Sequence, residues 1–202
     1  LTKQYEFINA SITEKIKDNK IDFEINVSES EKFYIEKINI NGNFNTLEEV
    51  IRNNLIVDEG DPFNEILFNK SINNIQSLGI FKKVESDVQK GSKDSFKIID
   101  LDVEERPTGE ISVTAGFGTN GESIGAGLRE NNFLGKGINL NTNFEITPDS
   151  IKGQFIYAKP NFNYTDNTLF TSLKSSTSDF LSNSGYKTSE LGFSLGTKFE
   201  QF

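Results

Sequence analysis

The sequence of 202 residues contains no cysteine, no histidine, no methionine and no tryptophan. The lack of Cys excludes disulfides and thiolate-bound metals. The lack of His removes the commonest general base and metal ligand, so a triad that needs an imidazole cannot be built. We therefore expect neither an enzyme nor a cofactor or metal site. With no Met the chain has no initiator, and it opens in mid-strand at Leu1-Thr2-Lys3, so it reads as a fragment or a processed chain. No signal peptide is visible. No apolar run approaches the roughly 20 residues of a transmembrane helix, so any membrane crossing must be made by strands. The net charge of −9 comes without a basic patch. Phosphate backbones need clustered Lys and Arg, which argues against nucleic acid.

What is present divides at Pro107. Residues 1–108 carry 14 Lys+Arg and 21 Asp+Glu, whereas residues 109–202 carry 7 and 9. The first part reads as a water-exposed surface. The second is sparing with charge, as lipid-facing strands must be.

In the first part, residues 5–14 read as a strand and Asp18-Asn19-Lys20 as a turn. Ile21, Phe23, Ile25 and Val27 then alternate with Asp22, Glu24 and Asn26 in a second strand. A lone hairpin is marginal in water, so residues 1–30 are expected to end a domain whose front is missing. Residues 33–40 form the next strand, followed by a tight turn at Asn41-Gly42-Asn43. Thr46-Leu47-Glu48-Glu49 fits a capping box. Thr46 would accept from the Glu49 amide, and Glu49 would reach back. Leu47, Val50, Ile51 and Leu55 fall on one helical face. A second helix is expected from Asp61-Pro62, with Asp61 as N-cap and Pro62 at the first helical position. Phe68, Ile72, Ile75 and Leu78 give its stripe, and Gly79 the residue just past its end. Strands near 80–88 and 96–105 follow, joined at Lys90-Gly91-Ser92. Residues 33–106 thus read β-α-α-β-β.

Beyond Pro107 the period is 2 throughout. Ile111, Val113, Ala115 and Phe117 alternate with Ser112, Thr114, Gly116 and Gly118. Turns at Thr119-Asn120-Gly121, Asn131–Gly137 and Thr147-Pro148-Asp149-Ser150 separate this strand from those at 124–129, 138–145 and 151–159. Further strands are expected near 168–178 and 187–199. One face of these six is apolar. The other is Gly, Ser, Asn and Thr, where a soluble sheet would usually carry Lys, Glu and Arg. A barrel interior fits this pattern; a soluble antiparallel β-domain is the alternative.

Three motifs invite chemistry. Gly116-Phe117-Gly118-Thr119-Asn120-Gly121 has the letters of a dinucleotide fingerprint, but a strand follows where a helix must receive the pyrophosphate. Asp58-Glu59-Gly60-Asp61 lacks the oxygen spacing of an EF-hand and reads as a loop between helices. Ser172, Lys174, Ser175 and Ser176 suggest a Ser–Lys nucleophile, without a Gly-x-Ser-x-Gly elbow to support it. The strand 80–88 offers more. At the edge of a three-stranded sheet its unpaired backbone can receive a guest strand. Equally, Lys82 and Lys83 can guard that edge against aggregation.

The β-α-α-β-β unit from Phe33 to Arg106 resembles a POTRA domain of the BamA/Omp85 outer-membrane assembly proteins. The matching text is Ile38-Asn39-Ile40-Asn41-Gly42-Asn43, Val50-Ile51-Arg52, Glu59-Gly60-Asp61-Pro62-Phe63-Asn64 and Leu78-Gly79-Ile80-Phe81-Lys82-Lys83-Val84. Val103 through Gly109 resembles that family's passage into its first barrel strand, Asn131-Asn132-Phe133-Leu134-Gly135-Lys136-Gly137 its first periplasmic turn, and Tyr157 through Phe162 the strand end before the next one. The resemblance implies that residues 1–30 close a preceding POTRA domain, that 33–106 are a POTRA domain, and that 109–202 are the first six strands of an outer-membrane β-barrel of about sixteen.

It further implies a non-enzymatic assembly factor in the bacterial outer membrane, with its POTRA part in the periplasm. Its partners would be unfolded outer-membrane proteins, accessory assembly lipoproteins and outer-membrane lipid. Two-partner-secretion or TamA-like transporters of the same superfamily, and a soluble periplasmic binding module, are the alternatives. Substrate strands would dock at Ile80, Phe81, Lys82, Lys83, Val84 and Glu85. The lateral-gate strand would be carried by Ile111, Val113, Ala115, Gly116, Phe117 and Gly118. Glycines there weaken pairing. Six strands are too few to close a wide pore, so an open sheet is expected.

Overall fold

The computed structural model describes residues 8–17, 20–29, 32–118, 121–165 and 167–199. Strand residues expected at Tyr5-Glu6-Phe7, and turn residues expected at Asp18-Asn19 and Thr119-Asn120, lie outside these. Among the described residues the strands fall into three sheets, ordered β1-β2, β3-β5-β4 and β11-β10-β9-β8-β7-β6.

The first sheet is a hairpin of β1 (Ile8–Lys17) and β2 (Lys20–Glu29), with Ile12 opposite Ile25 and Ile16 opposite Ile21. Facing pairs share a side of the ladder, so alternation in each strand assembles one apolar face. β1 runs three residues past the expected end at Glu14.

The next unit follows the expected order: β3 (Tyr34–Asn41), α1 (Glu48–Arg52), α2 (Glu65–Ser77), β4 (Phe81–Lys90) and β5 (Phe96–Glu105). β5 is central and runs parallel to β3. A parallel pair needs a crossover connection, and the helical segment supplies it. Ile35, Ile38, Val57, Phe68 and Ile99 form a buried cluster, flanked by Ile40, Leu55, Phe63, Leu67 and Ile72. Each such side chain removed from water stabilises by about 1.5–3 kcal/mol. The outward side of the parallel pair is polar, with Asn39 Nδ2 donating to Asp100 Oδ1 at 2.7 Å.

Two helix starts depart from expectation. α1 begins at Glu48, and no side chain caps it. Thr46 is buried, and its hydroxyl accepts from Asn132 Nδ2 at 2.9 Å instead. α2 begins at Glu65 rather than after Asp61. Its cap is Asn64, whose Oδ1 accepts from the Leu67 amide at 2.7 Å. Asp61 is occupied one turn earlier, where its carboxylate takes the Asp58 amide at 3.1 Å, and Pro62 bridges to Tyr34. The acidic loop 58–61 therefore serves the backbone: Glu59 Oε1 accepts from the Ile38 amide at 3.0 Å, beside the irregularity in β3 between Ile35 and Lys37.

The third sheet is a plain antiparallel meander: β6 (Gly109–Gly118), β7 (Gly121–Phe133), β8 (Ile138–Thr147), β9 (Ser150–Lys159), β10 (Thr168–Phe180) and β11 (Tyr186–Lys198). A single helical turn, α3 (Leu181–Ser184), joins the last two. The sheet is open, with β6 and β11 as its edges. Register carries the alternation across all six strands. On one face Val113, Ala126, Phe144, Gly153, Ser175 and Leu191 form a row. On the other the row is Ser112, Gly127, Asn143, Gln154, Lys174 and Gly192.

By proximity the described residues gather into two compact units. One takes the residues up to Gly42 with Asn54–Ser77 and Val84–Val103; the other takes Asn43–Asn53, Leu78–Lys83 and everything from Glu104 onward. The division passes inside the β-α-α-β-β unit, so α1 groups with the six-stranded sheet.

Candidate functional site

The proposed docking strand is where the sequence put it, at an edge. β4 has β5 on one side and no partner among the described residues on the other. Ile80, Phe81 and Val84 are buried and anchor it, while Lys82, Lys83 and Glu85 are exposed. Lys82 Nζ donates to Glu104 Oε1 at 2.7 Å, tying one of the two lysines to the neighbouring strand. Such an exposed pair contributes about 0–1 kcal/mol.

The proposed gate strand is β6, the other edge of interest. Ile111, Val113 and Phe117 are 79%, 76% and 88% exposed and share their face with Ala115. Gly116 and Gly118 lie on the opposite, polar face. Three of the four apolar residues meet a like partner on β7, as Ile111 faces Leu128, Val113 faces Ala126 and Ala115 faces Ile124, whereas Phe117 faces Glu122. On the polar face the β7 glycines are needed. A Cβ on Gly127 would come within 2.6 Å of Ser112 Oγ and 3.0 Å of Asn143 Oδ1, and one on Gly125 within 2.6 Å of Thr114 Oγ1. Small residues let the polar side chains of β6 and β8 lean over β7. The dinucleotide-like glycines end β6 and begin β7, and Thr119 and Asn120 lie outside the described residues. Ser172, Lys174, Ser175 and Ser176 lie along β10, where Lys174 sits 4.0 Å from Glu190 on β11.

A third element was not foreseen. The segment 43–53 is clamped to the turn between β7 and β8. The Leu47 amide donates to Gly135 O at 2.8 Å, and Asn132 both donates to Thr46 Oγ1 and accepts from the Gly137 amide at 2.8 Å. Any side chain on Gly135 would run into the Asn45 carbonyl. Its φ of +71° suits only glycine comfortably. Asn161 Nδ2, in the connection after β9, donates to Asn53 O at 2.8 Å. From the other side Glu105, the last residue of β5, takes the amides of Asn45 and Thr46 and the Asn45 side chain at 2.7–3.1 Å. Partial burial raises the Glu105 pKa, but the hydrogen bonds from Thr46 and Asn45 outweigh it and hold the carboxyl below its ordinary value. Arg106 Nε completes the corner by donating to Gly79 O at 2.6 Å. The sequence signal for this clamp was the pair Gly135 and Gly137 within one short turn; its partners lie some 86 residues away.

Residues 33–106 match the model of the POTRA family, described as a surface antigen variable number repeat. A Treponema pallidum (strain Nichols) protein that carries the name of an outer membrane protein assembly factor is 33% identical over 132 residues, 62% of this chain and 16% of its own length. The outer membrane protein assembly factor BamA of Neisseria meningitidis serogroup B is 26% identical over 144 residues, 70% of this chain and 18% of that protein. Neorickettsia risticii BamA is 31% identical over 119 residues, covering 58% and 16%. The structure of Haemophilus ducreyi BamA lacking POTRA domains 1-3 matches with a TM-score of 0.75 at 23% identity, over 95% of this chain and 37% of that one. CdiB from Escherichia coli shares the fold at a TM-score of 0.57 and 16% identity, over 94% and 36%.

Residues 33–106 thus match the POTRA family, and the chain as a whole is similar to BamA proteins of the Omp85 group. It spans less than a fifth of the length of the curated relatives it matches. The antiparallel strands β6–β11 share the fold of the barrel strands of the Haemophilus ducreyi BamA structure, and the sheet is open among the described residues.

Proposed function

We propose that this chain is part of an outer-membrane protein assembly factor, non-enzymatic, that receives unfolded β-barrel proteins and inserts them through a lateral gate at β6. The observation that supports the reading is the order of the chain: a POTRA unit leads directly into β6, the first strand of a six-stranded antiparallel meander with an exposed apolar face. The apolar side chains of β6 are held outward, and none of the described residues pairs with the far side of that strand. An edge ladder that can exchange one strand partner for another needs no external energy source. Lipid, unfolded outer-membrane proteins and accessory lipoproteins are the partners; β4, the free edge of the POTRA sheet, is the proposed receiver of extended segments.

Cysteine pairs that lock β6 to the last barrel strand of the full-length protein test this. We expect assembly of outer-membrane proteins to stop under oxidation and to resume on reduction. Undiminished assembly with the lock formed would sink the proposal. A two-partner-secretion or TamA-like transporter of the same superfamily is the second reading, because the Omp85 resemblance spans those branches. It predicts loss of a single cargo on depletion, where an assembly factor loses barrel proteins generally.

A further inference from the structure

Phe44 is 93% exposed, more than any other large apolar side chain among the described residues. It does not sit on a loose loop. The amides of Asn45 and Thr46 are held by Glu105, the Thr46 hydroxyl by Asn132, and the Leu47 amide by Gly135. The ring is presented by a clamped backbone. Across the clamp, next to Gly135, stands Leu134, 69% exposed and held at φ +57°. The other described non-glycine residues at positive φ are both Asn, which tolerates that conformation; leucine does so at a steric cost. A turn bathed in water gains nothing from an apolar side chain in such a place.

The turn also continues the apolar wall. Phe133 pairs with Ile138, on the same side of the sheet as Leu140 and Phe144. Leu134 follows directly on Phe133, one residue past the end of β7. Lys136, exposed in the same turn, has the long apolar stem and charged head that suit the headgroup level. Charge, continuity and exposure thus favour one occupant, phospholipid.

We propose that Phe44 and Leu134 form an apolar foot by which the α1 segment of the POTRA domain enters the periplasm-facing leaflet beside the barrel rim. The proposal rests on the membrane placement of β6–β11. It is tested in the full-length protein, in a cysteine-free background, reconstituted in phosphatidylethanolamine/phosphatidylglycerol vesicles. Nitroxide labels are placed singly at Phe44→Cys, Leu134→Cys, Glu49→Cys and Val113→Cys, and collision rates with oxygen and with a water-soluble nickel chelate are compared. Labels at 44, 134 and 113 should favour oxygen, and the label at 49 should favour the chelate, so that the ratio inverts between positions 44 and 49. A label at 44 that meets the chelate as freely as the one at 49, or that is closed to both reagents because another protein surface covers it, overturns the foot. If 113 also meets the chelate, the membrane placement falls and the foot with it; if 113 lies in lipid while 44 lies in water, the foot alone is wrong.

Discussion

The three-stranded and six-stranded sheets use the same residue types to opposite ends. In the first, Ile35, Ile38 and Ile99 are shut away from solvent against α2. In the second, Ile111, Val113 and Phe117 stand in the open. One sheet is held together by what its side chains bury within the chain. The other is held by its ladder and by the small residues of its polar face, with its apolar face left exposed. Hydrophobicity alone does not distinguish them; the character of the second face does. β5 sets Asp100, Asp102 and Glu104 against its apolar side, whereas β7 sets Gly125 and Gly127.

Core truncation should separate the sheets most sharply. Ile99→Ala should cost about 2–5 kcal/mol in denaturant unfolding of the POTRA part, whereas Val113→Ala should leave barrel stability nearly unchanged in lipid. Equal losses would erase the distinction. The converse change is Val113→Arg, expected to cost about 2–4 kcal/mol near the bilayer midplane, measured by unfolding from vesicles; a neutral result would return β6 to a water-facing sheet. Smaller is the helix cap. Asn64→Ala should lower stability by about 1 kcal/mol, and Asp61→Ala should not reproduce that loss through α2, as amide exchange in residues 65–68 would report.

The smallest effect is the corner at Glu105. Its lowered pKa means that its contribution is present above the ordinary glutamate value of 4.5 and is lost as pH falls through the lowered one. Protection of the Asn45 and Thr46 amides should drop over that range. Glu105→Gln should remove the pH dependence.

The strands were legible because register is local: alternation states which residues share a face, and six alternating segments with glycine-rich turns leave few other arrangements. The POTRA order was legible for the same reason, as its core positions fall at strand and helix periods. The caps were not. Thr46 and Glu49 have the letters of a capping box, yet the Thr46 hydroxyl is taken by Asn132, far away in sequence. Asp61-Pro62 resembles a helix start, yet Asp61 is spent on Asp58, and Asn64 supplies the cap. A polar side chain takes the best donor in space, and short-range patterns do not reveal rivals brought in by the fold. For that reason Gly135 and Gly137 marked a tight turn in the sequence but not its partners in 43–53. Of the strands that carry the proposed site residues, β6 was placed by alternation, and β4, expected at an edge of the three-stranded sheet, lies at one.

The unequal strand lengths have a consequence at one end of the sheet. β6, β8 and β9 have 10 residues each, the length that crosses a bilayer obliquely. β10 and β11 have 13 each. At about 3.3 Å per residue, Asp179 and Phe180, which run past the last pair of β10 with β9, raise the joining turn roughly 7 Å higher, on the end away from the POTRA connection. There Asp179 and Lys187 pair at 3.0 Å, and Phe180 stacks near Tyr186. The sheet therefore carries a raised, internally braced parapet at Leu181–Ser184, a natural place to insert a tag without touching β6.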